Sequence, residues 1–301
     1  MDPKTAQFQQ FRPRLFGLAY RMLGTPVDAE DVLHEAWLRW HAQKVSALDD
    51  AEAWLVTVTT RLALDRLRRA RTERERYTGP WLPEPARMDT GSPDERIERD
   101  ETLTLSFLLL LERLAPEERA VFLLREVFDY SHAETAAMLG IGEAACRQRV
   151  HRARTRLREG RPRFQVDADT QRRLLQRFVA ALEQPDLDTL RALFAEDAVH
   201  IADGGGRASA TRRPLCGADR LARLYRQIAR NIGAQRPRYE LATLNGLPAL
   251  LTWIDGQLVT ATWIDIEADG EHIGAIHALR HPDKLARLRA VTKPTAAASL
   301  H

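Results

Sequence analysis

Six side chains near the start of one predicted helix, Glu143, Ala144, Arg147, Gln148, His151 and Arg152, have types and spacing suited to reading nucleic acid. Within 143–158 the apolar Cys146, Val150, Ala153 and Leu157 step by four, three and four, so they face inward and the six face out. Ser131 can cap a shorter helix over His132–Leu139, and Gly140-Ile141-Gly142 makes a three-residue turn, which together predict a helix-turn-helix. Outward side chains at the head of such a second helix reach base edges in the major groove, and later arginines reach phosphates. Cys146 reads as a small core residue, not a reactive thiol.

Charge is placed to match. Residues 147–163 hold eight Arg against Glu159 alone, a net of +7, and residues 61–76 hold seven Arg against Asp65, Glu73 and Glu75, a net of +4. Acid gathers at Asp28–Glu35 and Asp94–Glu118. The total of 45 basic and 42 acidic residues leaves only +3, too balanced for the sum to indicate nucleic acid. With 41 Arg and 4 Lys in the chain, Arg in place of Lys at a site says little, so position carries the argument.

Length and composition bound the rest. A chain of 301 residues with 44% hydrophobic content predicts roughly two globular domains. The longest apolar run, Phe107–Leu111, is too short to cross a bilayer, and the polar start Met1–Gln10 lacks a signal-peptide core, so a cytoplasmic location without membrane contact is expected. Cys146 and Cys216 form neither a disulfide framework nor a CxxC pair, so redox chemistry, metal and cofactor are not indicated.

The elements that must position these groups begin with a helix over Phe8–Leu23, closed by Gly24. Thr25 caps the next helix with Pro26 in its first turn. Its stripe of Ala29, Val32, Leu33, Ala36, Trp37 and Trp40 leaves Asp28, Asp31 and Glu35 on another face, which on pattern alone is a solvated one. A third helix, Ala51–Arg76, becomes steadily more basic. Four prolines and two glycines break the pattern over Tyr77–Asp100, giving a linker over 77–102, yet Trp81-Leu82-Pro83 is apolar enough to dock somewhere. Helices resume near Asp94 and run through Leu103–Leu114, with Pro116 suited to a new first turn.

In this order, Asp28-Ala29-Glu30-Asp31-Val32-Leu33-His34-Glu35-Ala36-Trp37-Leu38-Arg39, Leu114-Ala115-Pro116-Glu117-Glu118-Arg119 and the helix-turn-helix resemble the extracytoplasmic-function (ECF) sigma factors of the sigma-70 family. The resemblance implies an all-α region 2 helical domain over 1–76 and an all-α region 4 helix-turn-helix domain over 103–163. It also implies core RNA polymerase and promoter DNA as partners, with Asp28, Asp31 and Glu35 docking on the β′ clamp helices and region 4 on the β flap. Arg61, Arg66, Arg68 and Arg69 would hold the melted −10 element, where cations track the backbone. Residues 143–152 would read the −35 element, with Gly142 where the family often has a Ser or Thr cap.

The remaining 138 residues change character. Asp169–Glu183, Leu187–Phe194 and Ala218–Asn231 are predicted helical. Strands follow over Arg238–Leu244, Leu247–Ile254, Gln257–Glu267 and Glu271–Leu279, separated by hairpin signals at Asn245-Gly246, Asp255-Gly256 and Asp269-Gly270. Helices followed by an antiparallel meander predict an α+β fold. It looks like the SnoaL-like, NTF2-like cone, over 166–295. Trp81-Leu82-Pro83-Glu84-Pro85, Asp203-Gly204-Gly205-Gly206-Arg207, Asn245-Gly246-Leu247-Pro248-Ala249 and His281-Pro282-Asp283-Lys284-Leu285 resemble signature segments of the ECF41 group, with Arg207 for the usual Lys and His281 for the usual Asn. That group's fused extension is a built-in regulator contacting the sigma core and linker, which implies regulation in cis and a free monomer. The strip Trp81–Pro85 is expected to dock near Asp203–Arg207, where three glycines permit close approach. The same cone could instead sense a small molecule or act as an isomerase or cyclase. His200, Asp203, Tyr239, Asp265 and His277 could line it, although no spacing selects a base, so no catalytic residue is assigned.

Overall fold

The computed structural model describes residues 2–43, 50–86, 103–158 and 167–291. The chain forms two compact units, one of Met1–Glu75 with Met88–Arg161 and one of Arg76–Arg87 with Pro162–His301. The helix predicted to resume near Asp94 and the basic residues Arg161 and Arg163 lie outside the described residues.

The first unit opens with α1 (Pro3–Leu23), which starts five residues before the predicted Phe8 because Pro3 occupies the first turn. Gly24, at φ 75°, ends it, and its N–H donates to Tyr20 O. Thr25 Oγ1 accepts from Asp28 N and starts α2 (Pro26–Ala42), while α3 (Ala51–Glu75) packs on both. Trp40 is fully buried, and its indole N–H donates to Lys4 O at 3.0 Å. Next come α4 (Leu105–Leu111), α5 (Pro116–Phe122), a π-helical turn over Leu123–Val127, α6 (His132–Leu139) and α7 (Glu143–Arg158).

The segments read as separate domains belong to one unit, and the join between them is polar. The last carbonyls of a helix lack intrahelical donors. At the end of α1, Arg119 donates to Met22 O at 2.8 Å and Arg74 to Leu23 O at 2.7 Å. Arg119, 2% exposed, also donates to Leu111 O and to Glu112 at 2.8 Å, and Arg74 pairs with Glu112 from the other side. Burial would push the Glu112 carboxyl up, but the two guanidiniums outweigh it and hold the group below its ordinary value.

The second unit has α8 (Ala168–Glu183), α9 (Leu187–Arg191), β1 (Phe194–Asp203), β2 (Leu215–Cys216), α10 (Ala218–Gly233), β3 (Arg238–Leu244), β4 (Leu247–Ile254), β5 (Gln257–Ile266), β6 (Ile273–Leu279) and α11 (Pro282–Val291). The predicted helix Leu187–Phe194 stops at Arg191, and Phe194 begins a strand that was not anticipated. That strand changes the topology: the sheet order is β2-β1-β6-β5-β4-β3, with β1 parallel to β6, so the sheet is mixed and only β3–β6 form the expected antiparallel meander. Asn245-Gly246 and Asp255-Gly256 both have positive φ at each residue, as a two-residue hairpin needs. Asp269-Gly270 is different: only Gly270 is at positive φ, and Asp269 Oδ1 accepts from the N–H groups of Glu271 and His272.

Register divides the sheet into two faces. Leu250, Ile264 and Ile276 pack with Phe178, Leu221 and Tyr225 from the helices, forming the inner face. Residues alternating with them, such as Leu251, Ala261 and Leu279, form the outer face.

Candidate functional site

The helix-turn-helix is locally determined. Ser131 Oγ accepts from Glu134 N at 3.1 Å while Glu134 accepts from Ser131 N at 2.7 Å, a reciprocal cap. Gly140, at φ 65°, ends α6. Val121, Ala136, Cys146 and Val150 form the core beneath, and burial pushes the Cys146 thiol pKa up. Glu143, Ala144, Arg147, Gln148, His151 and Arg152 are all exposed on α7. Arg147 pairs with Glu143 one turn back, Arg154 with Glu126 at 2.9 Å, and Arg152 lies 3.4 Å from Glu118.

The acidic and basic residues of α2 and α3 meet. Arg66 donates to Asp28 Oδ1 at 2.8 Å and to Asp31 Oδ2 at 2.9 Å, joining groups that the sequence reading assigned to different partners. Burial opposes the Arg66 charge, but the two carboxylates prevail and raise its pKa. Arg61 Nε donates to Met138 O at 2.8 Å, Arg68 pairs with Glu117 at 2.9 Å and with Asp65, and Arg69 donates to Asp65 O. Glu35 is exposed and paired with Arg39, and the sequence reading missed Leu38, half exposed one turn further along α2. Among charged neighbours, an exposed leucine is the signal that could have found it.

In the second unit, residues 77–86 lie as a strap against the sheet domain. Asp203, with a fully buried side chain, accepts from Tyr77 OH at 2.6 Å and Leu82 N at 3.0 Å and pairs with Lys284 Nζ at 2.8 Å. Lys284 also donates to Leu82 O at 2.6 Å and lies 4.3 Å from the centre of the Trp81 ring. Glu84 takes two hydrogen bonds from Arg287, at 2.6 and 2.8 Å, and Ala86 N donates to Asn245 Oδ1 at 2.9 Å. Leu82, Pro83, Glu84 and Pro85 are buried. The glycines answer to this approach: a Cβ on Gly205 would stand 2.1 Å from the His281 ring and 2.7 Å from Tyr77 OH, and one on Gly206 would press on Thr78. Gly204 is hemmed in by Ala208 O, while Arg207 pairs with Asp283. His281 stacks on Tyr77 at 6.2 Å. Tyr77, Asn245, Lys284 and Arg287 were not picked out individually as strap partners, although three of them stand in or beside the quoted motifs.

The five residues suggested as cone lining divide between the faces. His200 pairs with Ile276 in register and Tyr239 packs on the core, so both are on the inner face. Asp203, Asp265 and His277 alternate to the outer face, where His277 Nε2 meets Asp265 Oδ2 at 2.9 Å. The acid–base set suggested for a cone is therefore not assembled in one place. His200, 4% exposed, instead meets Tyr225 OH through Nδ1 at 2.9 Å. Burial, with the charges of His277 and Arg280, lowers its pKa to about 4.

A pH dependence follows. Between pH 6.5 and about 4 the unfolded chain binds a proton at residue 200 that the folded chain refuses, so the stability of this unit falls as pH falls, by about 3 kcal/mol in all. A histidine ring NMR resonance assigned by its loss in His200→Gln should stay neutral above pH 5; a midpoint above pH 6 would contradict this.

The chain matches the sigma-70 region 2 family over residues 7–73 and the sigma-70 region 4 family over residues 104–157. It is 34% identical over 290 residues to the ECF RNA polymerase sigma factor SigJ of Mycobacterium tuberculosis, covering 93% of each chain. It is 33% identical to the probable ECF RNA polymerase sigma factor SigI of the same species, covering 96% of this chain and 97% of that one. The crystal structure of M. tuberculosis SigJ superposes with a TM-score of 0.75 at 32% identity, over 94% of this chain and 98% of the other. Among the described residues, no helix is long and apolar enough to cross a membrane.

Proposed function

Since this chain belongs to the ECF RNA polymerase sigma factors, we propose that its first unit carries the contacts of promoter-specific initiation while its C-terminal domain regulates them by holding the linker. The observation that carries the reading is the exposed recognition face of α7, backed by a capped helix-turn-helix. Arg147, Gln148, His151 and Arg152, with Glu143 and Ala144, read the −35 element. Arg61, Arg66, Arg68 and Arg69 serve the −10 element. Asp28, Asp31 and Glu35, with Leu38 beside them, meet the β′ clamp helices, and region 4 meets the β flap.

The arrangement of the first unit supports a resting form. Elements centred 25 base pairs apart are separated by about 85 Å of duplex, whereas Arg61 of α3 donates directly to Met138 of the helix-turn-helix at 2.8 Å. Arg61, Arg66 and Arg68 are also engaged by protein groups. Reading both elements therefore requires this unit to open and its arginines to exchange acidic or carbonyl partners for phosphates. The strap begins directly after α3, so a C-terminal domain that grips it at Asp203, Lys284, Arg287 and Asn245 biases the linker between two states at high effective concentration.

Run-off transcription with core polymerase and the full chain tests this. Initiation from a cognate promoter is expected, and Arg147→Ala and Gln148→Ala should each reduce it about tenfold, the size of one base contact. No initiation from any candidate promoter would overturn the reading.

A further inference from the structure

The C-terminal domain carries a run of positive charge that no contact assigned so far uses. Residues 204–239 hold nine Arg against Asp219 alone, a net of +8, where residues 147–163 carry +7. Asp219 is taken by Arg191, Arg207 pairs with Asp283, and Arg238 pairs with Glu240. The other seven have no carboxylate at ion-pair distance among the described residues. On α7, by contrast, Arg147, Arg152, Arg154 and Arg156 each have a carboxylate partner.

Four of the seven share one face of α10. That helix turns Leu221, Ala222, Tyr225 and Ala229 to the core. Helical periodicity then brings Arg220, Arg223, Arg226 and Arg230 round to the opposite side with Gln227. Arg220, Arg223, Gln227 and Arg230 are exposed and Arg226 is half-buried. From Arg220 to Arg230 the row rises about 15 Å, the axial length of about four base pairs. Such a row calls for an anionic partner, and what the face lacks decides its class. Among the described residues the large exposed apolar side chains are Val27 and Leu38, both on α2. The face therefore has no wedge to enter a bilayer surface and no apolar centre for a protein interface. Arginines with a neutral amide among them are instead a composition that tracks phosphates. Reach agrees with this: nine residues of chain separate Arg158, the end of α7, from Asp167, the cap of α8. They extend to at most about 32 Å, which keeps the domain that follows within about one turn of a duplex read by α7.

We propose that α10 holds the backbone of duplex DNA through Arg220, Arg223, Arg226 and Arg230, a sequence-independent contact beside the promoter element read by α7. The proposal rests on the reading of this chain as a promoter binder. Its test uses duplex without promoter elements, so failed initiation and failed backbone contact are separate results. Binding of the full chain to a labelled duplex of mixed sequence is followed by anisotropy from about 50 to about 200 mM salt. Arg223→Gln, Arg226→Gln and Arg230→Gln together replace solvent-facing residues by one of similar helix propensity. The triple variant should lower the slope of log K against log salt by about 2.7 and weaken binding alike for every sequence. A thiol-directed photocrosslinker gives a second measurement that needs no change in α10, because Cys216, two residues before that helix, is exposed while Cys146 is buried. The labelled parent should capture duplex. An unchanged slope in the triple variant, or no capture from Cys216, would overturn the proposal. So would binding to phosphatidylserine vesicles that the triple variant loses while it keeps the parent's slope on DNA.

Discussion

Asp203→Ala is expected to release residues 77–86 from the C-terminal domain and to destabilise that domain by about 3–5 kcal/mol. The substitution takes away the acceptor for Tyr77 OH and Leu82 N and removes the buried carboxylate that pairs with the Lys284 ammonium, itself 5% exposed. A buried ion pair adds little compared with an apolar replacement of both partners, but removing one partner strands the other. Asp203→Asn should therefore also destabilise, while Asp203→Asn with Lys284→Met should recover part of the loss, a coupling that only a double-mutant cycle isolates. Urea unfolding measures the stability, and hydrogen exchange at the Leu82 amide measures the strap. A Leu82 amide as protected in Asp203→Ala as in the parent would contradict the assignment of Asp203 as anchor. If run-off transcription is the same in both while Leu82 is deprotected, the strap is structural and the regulatory reading fails.

Arg119→Met is expected to cost a similar 3–5 kcal/mol in the first unit. Arg119 is almost wholly buried, yet it serves Met22 O, Leu111 O and Glu112 at once. Its loss takes the donor from the buried Met22 O, leaves Leu111 O with the Leu114 N–H, and removes one of the two guanidiniums that hold Glu112. Because the folded Glu112 carboxyl lies below its ordinary value, its contribution is present above about pH 4.5 and is lost as pH falls through the folded value. Glu112→Gln should therefore flatten the acid limb of unfolding and cost less than Arg119→Met. Unfolding midpoints in urea from pH 3 to 7 check both, and an Arg119→Met protein within about 1 kcal/mol of the parent would show the join to be held elsewhere.

What was legible in the sequence was what is decided within a few residues. The helix-turn-helix follows from a cap, a turn and a periodicity that lie side by side in the chain, and β3–β6 follow from alternation punctuated by Asn245-Gly246 and Asp255-Gly256. β1 was hidden because Leu187, Leu190, Leu193 and Phe194 keep helical spacing across the place where the helix stops. The early part of the strand, with Glu196 and Asp197 exposed, also lacks clean alternation. Its partner β6 is about eighty residues away, beyond any local pattern. The same limit explains Arg66, whose partners Asp28 and Asp31 sit on another helix. The strap was half legible: Trp81 stood out as an aromatic in a proline-rich stretch, but its receptor did not. One signal was available, since Lys284 is one of only 4 lysines in a chain with 41 arginines. A compact ammonium seated among Asp203, Leu82 O and the Trp81 ring suits that place better than a planar fork.

The strap's contacts also set an order of events during synthesis. Residues 77–86 leave the ribosome long before Asp203, and their other partners, Asn245, Lys284 and Arg287, follow 159 to 203 positions after the residues they bind. Closing loops of that length is slow relative to the local helical contacts of the first unit, and domains fold from the N-terminus as they emerge. The linker of a nascent chain therefore stays ungripped until nearly the whole protein has been made. A chain released before Lys284 would never acquire the clasp at all.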